Sequence, residues 1–514
     1  MRTRNSLLNI LSNCTCYVIW MISGFLIRKT FSDVLGLQCV GIEGRFADYV
    51  SILSIVELGL GMSFVYRLYD PIAKKDWSRV SVVINFLKKS YFIIISAIFL
   101  LGLISSFFII DSIKEEFSKQ WLMRIFVLYL IDAVCSYVYY HKRIMIIADQ
   151  NSRIIGLTRA CCLVGLMIAQ ILILRIFKSF ELYIFAKIIS RMAENFVISY
   201  YFHKKYNLID MKTKVKLDKE QKKDVIQNIK AMFFHKIGGA SLKQISTIIF
   251  GMIALPLAEN GIYCNYMIIV AALLGISLEF FKGIMASFGN LLSTEKGPKI
   301  ENNFNVIFFL NFLMYSFFCS AFLCISAPFM RFWITSENSV FPVSTTIAIV
   351  IYIYIFGMRH SIDMAKDSAG IYVQDRYFPI IESAINFVIS YFLAKKIGIS
   401  GAILGSVIAS LLTSFFTHPY FVYKILFKKK PFEYYKKYFL YTFITLCEVS
   451  VCYFCTNAIQ MGSNFAQIVI NFILCLIISS FVNIILFYRT KEFTYVLSMA
   501  SRFFSKIKKI KAQI

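Results

Sequence analysis

Residues 91–110 read YFIIISAIFLLGLISSFFII, twenty consecutive positions without a charged side chain or a proline. As a helix rising 1.5 Å per residue they would extend about 30 Å, the thickness of a bilayer's hydrocarbon core. Lys88 and Lys89 stop the run at one end and Asp111 at the other, so it has polar anchors on both sides. Such a segment is a membrane span, and it sets the ruler for the rest of the chain.

The whole sequence is of the same kind. Of 514 residues, 58% are hydrophobic and only 16% charged, with mean hydropathy +0.67. Soluble domains carry about 25% charged residues, so this chain cannot hide its apolar side chains in one globular core. Apolar runs between charged stops predict six spans near residues 7–27, 49–66, 91–110, 121–140, 154–177 and 182–202. A polar stretch, 203–230, then carries nine lysines from Lys204 to Lys230 and is expected to form a cytoplasmic linker or amphipathic surface helix between two halves. Eight further spans follow near 231–255, 262–281, 304–330, 341–357, 377–394, 399–426, 438–459 and 465–488. The fold class is therefore all-α, a polytopic membrane protein of about 14 transmembrane helices, with no room for a large soluble catalytic domain.

Net charge is +26, from 55 Lys and Arg against 29 Asp and Glu. Nucleic acid is not the required explanation, because loops facing the cytoplasm collect Lys and Arg. With both termini inside, most of the 55 fall on cytoplasmic loops and tails, including 74–89, the linker, 428–437 and the tail lysines Lys506, Lys508, Lys509 and Lys511. The 13 cysteines lie mostly inside apolar runs and imply no disulfides; Cys452 and Cys455 form a C-x-x-C without a second pair or a nearby histidine. Arg2 and Arg4 before residues 7–27 resemble a signal peptide, but the apolar run is too long and lacks a small-residue cleavage site, so it is expected to remain as the first span.

Ionisable side chains at membrane depth are costly unless they face a cavity or a partner, so they mark candidate function. In the first half these are Arg28, Lys29, Arg45, Glu57, Asp132 and the set Lys187, Arg191 and Glu194, in which Arg191 is expected to pair with Glu194 one turn away. In the second half they are Lys236 and Lys243, seven apart on one helix face, and Lys282 after Glu279. Gly401 and Gly405 form a G-x-x-x-G, a helix-packing motif. The five histidines have no metal-ligand spacing, and there is no Walker motif or nucleophile elbow, so neither a metal nor a cofactor is expected.

Several stretches form an ordered set: Phe25 to Lys29, Leu35-Gly36, Gly41-Ile42, Ser51 to Gly61 and Tyr66 to Pro71, then His235 to Gly239, Gly261 to Tyr266, Ala286 to Asn290 and Lys366 to Gly370. Asp375-Arg376-Tyr377, Glu382, Asn386, Gly398 to Gly405 and His418-Pro419 continue it. This set resembles polysaccharide repeat-unit flippases, of O-antigen and capsule type, in the multidrug/oligosaccharidyl-lipid/polysaccharide (MOP) exporter superfamily. Where relatives often carry Thr-Asp-Asn after the His-Lys-Ile-Gly stretch, this chain reads Ile245-Ser246-Thr247, so Ser246 cannot supply an acidic coupling group there.

The resemblance implies two pseudo-symmetric six-helix bundles, 1–202 and 231–430, joined by the 203–230 linker, with two extra helices in 431–488 and a basic tail at 489–514. It implies a transporter and not an enzyme, in the bacterial plasma membrane, that carries an oligosaccharide on a polyprenyl diphosphate by alternating access. Arg28, Lys29, Arg45, Lys236, Lys243 and Lys282 are then the candidates for holding the diphosphate, and Glu57 and Asp132 for coupling or gating. Implied partners are the lipid-linked oligosaccharide, the bilayer, and a polymerase and glycosyltransferases of the same pathway, with no nucleic acid. A cation-coupled multidrug exporter, a lipid II flippase and a membrane glycan transferase or polymerase are the alternatives.

Overall fold

Hydrocarbon offers no water to satisfy peptide groups, so a spanning backbone must bond to itself, and apolar sequence without closed barrels does this as helix. A computed structural model shows that outcome; it describes residues 2–54, 60–111, 113, 117–211, 245–295, 297–335, 339–371 and 374–498. Fourteen α-helices lie wholly within the described residues, which contain no strand. They are α1 (Arg2–Leu53), α2 (Leu60–Ala73), α3 (Trp77–Asp111), α4 (Lys119–Tyr137), α5 (Tyr140–Ala148), α6 (Ser152–Phe177) and α7 (Phe180–Lys205). Then come α8 (Leu257–Thr294), α9 (Pro298–Trp333), α10 (Val343–Ser368), α11 (Phe378–Leu412), α12 (Ser414–Val422), α13 (Phe432–Ala458) and α14 (Asn464–Phe487). A π-helical turn, Tyr423–Phe427, closes the segment after α12. Nine segments among the described residues are long and apolar enough to cross a membrane.

Two expected connections are helical. Residues 28–48 were expected to link the first two spans, yet α1 continues through them and is broken only at Gly36, at φ +82° and ψ 169°. Arg28 and Glu43 would stand about 22 Å apart on a straight helix, but their side chains meet at 2.6 Å, so the chain doubles back at Gly36. Glycine reaches this backbone region without a Cβ penalty. In the same way the spans expected at 377–394 and 399–426 share α11, interrupted at Ile397 and Gly398. There Gly401 and Gly405 act as the packing motif they spell: a Cβ on either would collide with backbone of Leu393 or Ser390 across the bend.

The chain divides into two compact units, Met1–Ile268 and Ile269–Ile514, with the boundary inside α8. Residues 245–268 belong with the first unit. Arg45 donates to the Leu255 carbonyl, Thr247 donates to Asp48, and Asn260 Nδ2 donates to the Gly41 carbonyl at 2.9 Å. The core of this unit has Phe31 against Phe180 at 5.0 Å and Phe46 against Phe126 at 5.1 Å, both edge to face. In the second unit α9 is the central helix, packed on α10, α13 and α14. Phe312 stacks on Tyr441 at 4.3 Å and Phe308 on Tyr434 at 4.8 Å, holding α9 to α13.

Candidate functional site

Among the described residues of the first unit, a file of charged side chains runs along α7. Ser179 starts this helix by accepting from the Leu182 N–H at 3.3 Å, and His203, Lys204 and Lys205 in its last turn complement the helix dipole. Phe185, Ile189, Met192 and Phe196 form one exposed apolar face. Tyr183, Lys187, Arg191 and Glu194, spaced four, four and three apart, lie on the opposite face, toward the interior of the bundle.

Each of these side chains finds a partner on a neighbouring helix. Tyr183 Oη donates to Glu43 Oε1 at 3.1 Å, and Arg28 binds the other oxygen of Glu43. One turn on, Lys187 Nζ lies 3.2 Å from Asp132 and 5.3 Å from the Tyr129 ring centre. Arg191 grips the same Asp132 with Nε at 3.1 Å and Nη2 at 3.3 Å, the two-pronged geometry that arginine offers carboxylates. Arg143 then donates to Glu194 and to Asn195, both at 2.8 Å. Lys142 donates to Ser199 at 2.6 Å, and Lys205 and Tyr206 both reach Asp149 at 2.7 Å. Burial, with the bond to Asp149, pushes the Tyr206 phenol up, so it stays a proton donor here. From Tyr183 to Lys205 the file covers about 33 Å of helix, a full bilayer core.

Six cations, Arg28, Lys142, Arg143, Lys187, Arg191 and Lys205, face four carboxylates, Glu43, Asp132, Asp149 and Glu194. In every ion pair of the file the carboxylate is the more buried partner. Asp132 is 8% exposed against 32% for Lys187 and 26% for Arg191, and Glu194 is 6% against 12% for Arg143. The cation is thus the more exposed partner throughout, by one percentage point at Arg28–Glu43 and by more elsewhere, and the file holds two more cations than carboxylates. Toward the outer face of α7, where Phe185 and Ile189 lie, α6 and α7 leave an open apolar groove of about 690 Å³, lined also by Gly165, Ala169, Ala186 and Ala193.

The candidates from sequence fall as follows. Arg28 is an end of the file, and Lys29 is half-buried beside it on α1. Arg45 is 1% exposed and holds the Leu255 carbonyl. Asp132 is the file's central acceptor. Lys282 pairs with Glu279 at 2.7 Å, and both are exposed. Glu57, Lys236 and Lys243 lie outside the described residues. The expected Arg191–Glu194 pair is re-partnered: α4 brings Asp132 to Arg191 from 59 residues away, and α5 brings Arg143 to Glu194. Arg143 and Glu43 went unnoticed in the sequence because each falls in an expected connection between spans, beside other charges.

The second unit has its own network. Arg359 donates to Asp363 and Glu382, each at 3.1 Å, and Ser414 also donates to Glu382. His418 Nδ1 is 2.6 Å from Asp363, and its Nε2 is 3.4 Å from Lys366 and 3.7 Å from Asp375. Lys366 donates to Asp375. Motif residues scattered over residues 366–418 thus meet in one place, joined by Arg359 and Asp363, which sequence reading did not single out. Two fixed cations face three carboxylates, the opposite balance to the α7 file. Among the described residues there is no cluster of His, Cys, Asp and Glu fit for a metal ion.

Buried charge backed by interior helices is how membrane transporters build their paths. No family model and no curated protein matches the chain. Solved structures do. The lipid II flippase MurJ, in an inward closed conformation, matches with TM-score 0.68 and 14% identity, over 93% of this chain and 99% of that one. An inward-facing multidrug resistance MATE family transporter of the MOP superfamily matches with TM-score 0.63 and 12% identity, over 78% and 95%. A MOP superfamily transporter from Pyrococcus furiosus matches with TM-score 0.51 and 14% identity, over 79% and 92%. At such identities the common property is the fold: this chain has the polytopic helical fold of MOP superfamily transporters.

Proposed function

We propose that this protein is a flippase that moves polyprenyl-diphosphate-linked oligosaccharide repeat units from the cytoplasmic to the outer face of the bacterial plasma membrane, for surface polysaccharide synthesis. It acts as a transporter and not as an enzyme. The observation that carries the reading is the α7 file, with its excess of cations and the cation the more exposed partner of each pair. A diphosphate cannot enter hydrocarbon bare, since each unpaired charge costs several kcal/mol even after relaxation. Arg28, Lys29, Lys187 and Arg191 would hold it, arginine taking phosphate with two parallel bonds. Asp132 keeps Lys187 and Arg191 in place when no diphosphate is bound and gives way to it, which is the gating role. Arg45 positions the backbone beside this site. Lys236, Lys243 and Lys282 stay in the candidate set from the second half of the chain.

The apolar groove between α6 and α7 suits the prenyl tail, which never needs to leave the lipid. Rocking between inward-open and outward-open states would carry the headgroup across. An inside-negative potential favours outward movement of an anion by about 2.3 kcal/mol per charge per 100 mV. Likeness to a lipid II flippase over nearly the whole chain supports a lipid-linked cargo. For the Pyrococcus furiosus transporter, reverse polarity of the binding pocket has been taken to suggest a different function, so pocket charge is a fair guide to cargo class. A lipid II flippase is the second reading, favoured by that same match.

The test is the sidedness of completed lipid-linked units in cells lacking the protein, probed with an impermeant lectin or sugar-oxidising reagent. The proposal expects units trapped inside and released by the wild-type protein. Lys187→Ala with Arg191→Ala should release them at least about a hundredfold less well, given two lost charge-assisted contacts of about 1.5–3 kcal/mol each. Units that reach the outer face unaided but stay unpolymerised would favour a polymerase. A block in peptidoglycan precursors instead would favour the lipid II reading.

A further inference from the structure

Glu448 lies near the middle of α13 and is 1% exposed. Ser316 of α9 donates to its Oε2, as does Asn483 Nδ2 of α14 at 3.2 Å. Its other oxygen, Oε1, has no partner, and neither has Asn483 Oδ1, although Asn483 is 95% buried. The Asn483 amide is fixed this way round because Nδ2 also donates to the Ser479 carbonyl at 2.8 Å. Two acceptor oxygens on joined side chains from different helices are therefore left without a donor.

Among the described residues of α9, α13 and α14 no cation answers them. α14 has no charged residue; α9 has Lys299, Glu301 and Arg331, all in its end turns. The only lysines of α13, Lys436 and Lys437, precede Glu448 by eleven residues or more, about 16 Å along the helix. The side chains facing the carboxyl include no basic group: Cys319 of α9, with Tyr354 of α10 behind it, and one turn along the seam the packed cysteines Cys324, Cys452 and Cys475. An ionised carboxylate without a counter-charge is not stable at this depth. With one carboxylate, one amide oxygen and one hydroxyl, the site supplies a single negative charge, too little for a divalent ion in its usual carboxylate cage.

We propose that Glu448, Asn483 and Ser316 form a binding site for one small monovalent cation, a proton or an alkali ion of sodium size, that fastens the α13–α14 hairpin to α9. The cation sits between Glu448 Oε1 and Asn483 Oδ1 and satisfies both. The Ser316 hydroxyl keeps Oε2 occupied from the third helix, so loading the site ties three helices through one charge.

The test is thermal unfolding of the purified full-length protein in micelles, wild type beside Glu448→Gln, whose amide has the carboxyl's shape without its charge. One series titrates sodium chloride against choline chloride at constant ionic strength; the other varies pH in choline alone. A cation bound only by the folded state raises stability with its own concentration. The wild type is expected to gain several degrees over Glu448→Gln with sodium if the ion is alkali, or as pH falls if it is a proton. Parallel behaviour of the two proteins in both series overturns the proposal. Should Glu448→Gln not fold, Ser316→Ala takes its place. A cation site displaces the midpoint of the sodium or pH response, whereas an unchanged midpoint with uniformly lower stability also overturns it.

Discussion

Asp132 concentrates the chemistry of the first unit, because one carboxylate neutralises Lys187 and Arg191 together. Asp132→Asn leaves those two cations facing each other without a counter-ion. It is expected to lower stability by about 1–3 kcal/mol, below the range for fully buried pairs because Lys187 and Arg191 keep partial access to water. Denaturant unfolding in micelles measures this, and adding Lys187→Met should recover part of the loss. Asp132, Arg191 and Glu194 were all visible in the sequence as costly residues at membrane depth. Their partners were not, because spacing along one helix favours an i+3 neighbour while the structure supplies better geometry from α4 and α5. Glu448 met the same criterion, an acid inside the expected span 438–459, yet it was not among the candidates.

At the scale of elements, two glycines decide how α1 and α11 turn back. Gly36→Ala puts a Cβ into a backbone region, φ +82° and ψ 169°, that essentially only glycine adopts, and should cost about 1–3 kcal/mol, read as a lower unfolding temperature. Gly405→Leu should be worse, since the added side chain meets the Ser390 backbone across the α11 bend; comparison with Gly405→Ala in a folding yield assay grades that contact. After α14, Glu492 bonds Lys437 at 2.8 Å. Burial raises its carboxyl, but the Lys437 bond outweighs this and holds it below the ordinary glutamate value of 4.5. A carboxyl lowered in the folded state stabilises above its unfolded value and loses that contribution as pH falls through the folded one. Wild type should therefore exceed Glu492→Gln slightly in unfolding temperature at neutral pH, with the gap closing below about pH 4.5. The breaks themselves were hard to foresee, because Leu35-Gly36 and Ile397-Gly398 look like span ends followed by loops, and hydropathy cannot tell a loop from a helix that turns on one glycine.

For the whole molecule, the positive-inside pattern predicts sidedness. Single cysteines at Lys75 and Lys429 should resist an impermeant maleimide in intact cells, while one at Ser463, between α13 and α14, should react. Reversed labelling would invert the topology and the assumed direction of transport. Composition and hydrophobic periodicity by themselves determined that the chain is a polytopic helical membrane protein, because bilayer thickness and the need to satisfy backbone hydrogen bonds leave a long apolar run few other choices. They also located the ionisable residues that must have partners. Only the tertiary structure decided which partners those are: Glu43 for Arg28, Asp132 for Lys187 and Arg191, Arg359 for Glu382, Ser316 and Asn483 for Glu448. These contacts join positions 15 to 132 residues apart. Such pairing depends on how helices pack across one another, a relation that no spacing along a single helix encodes.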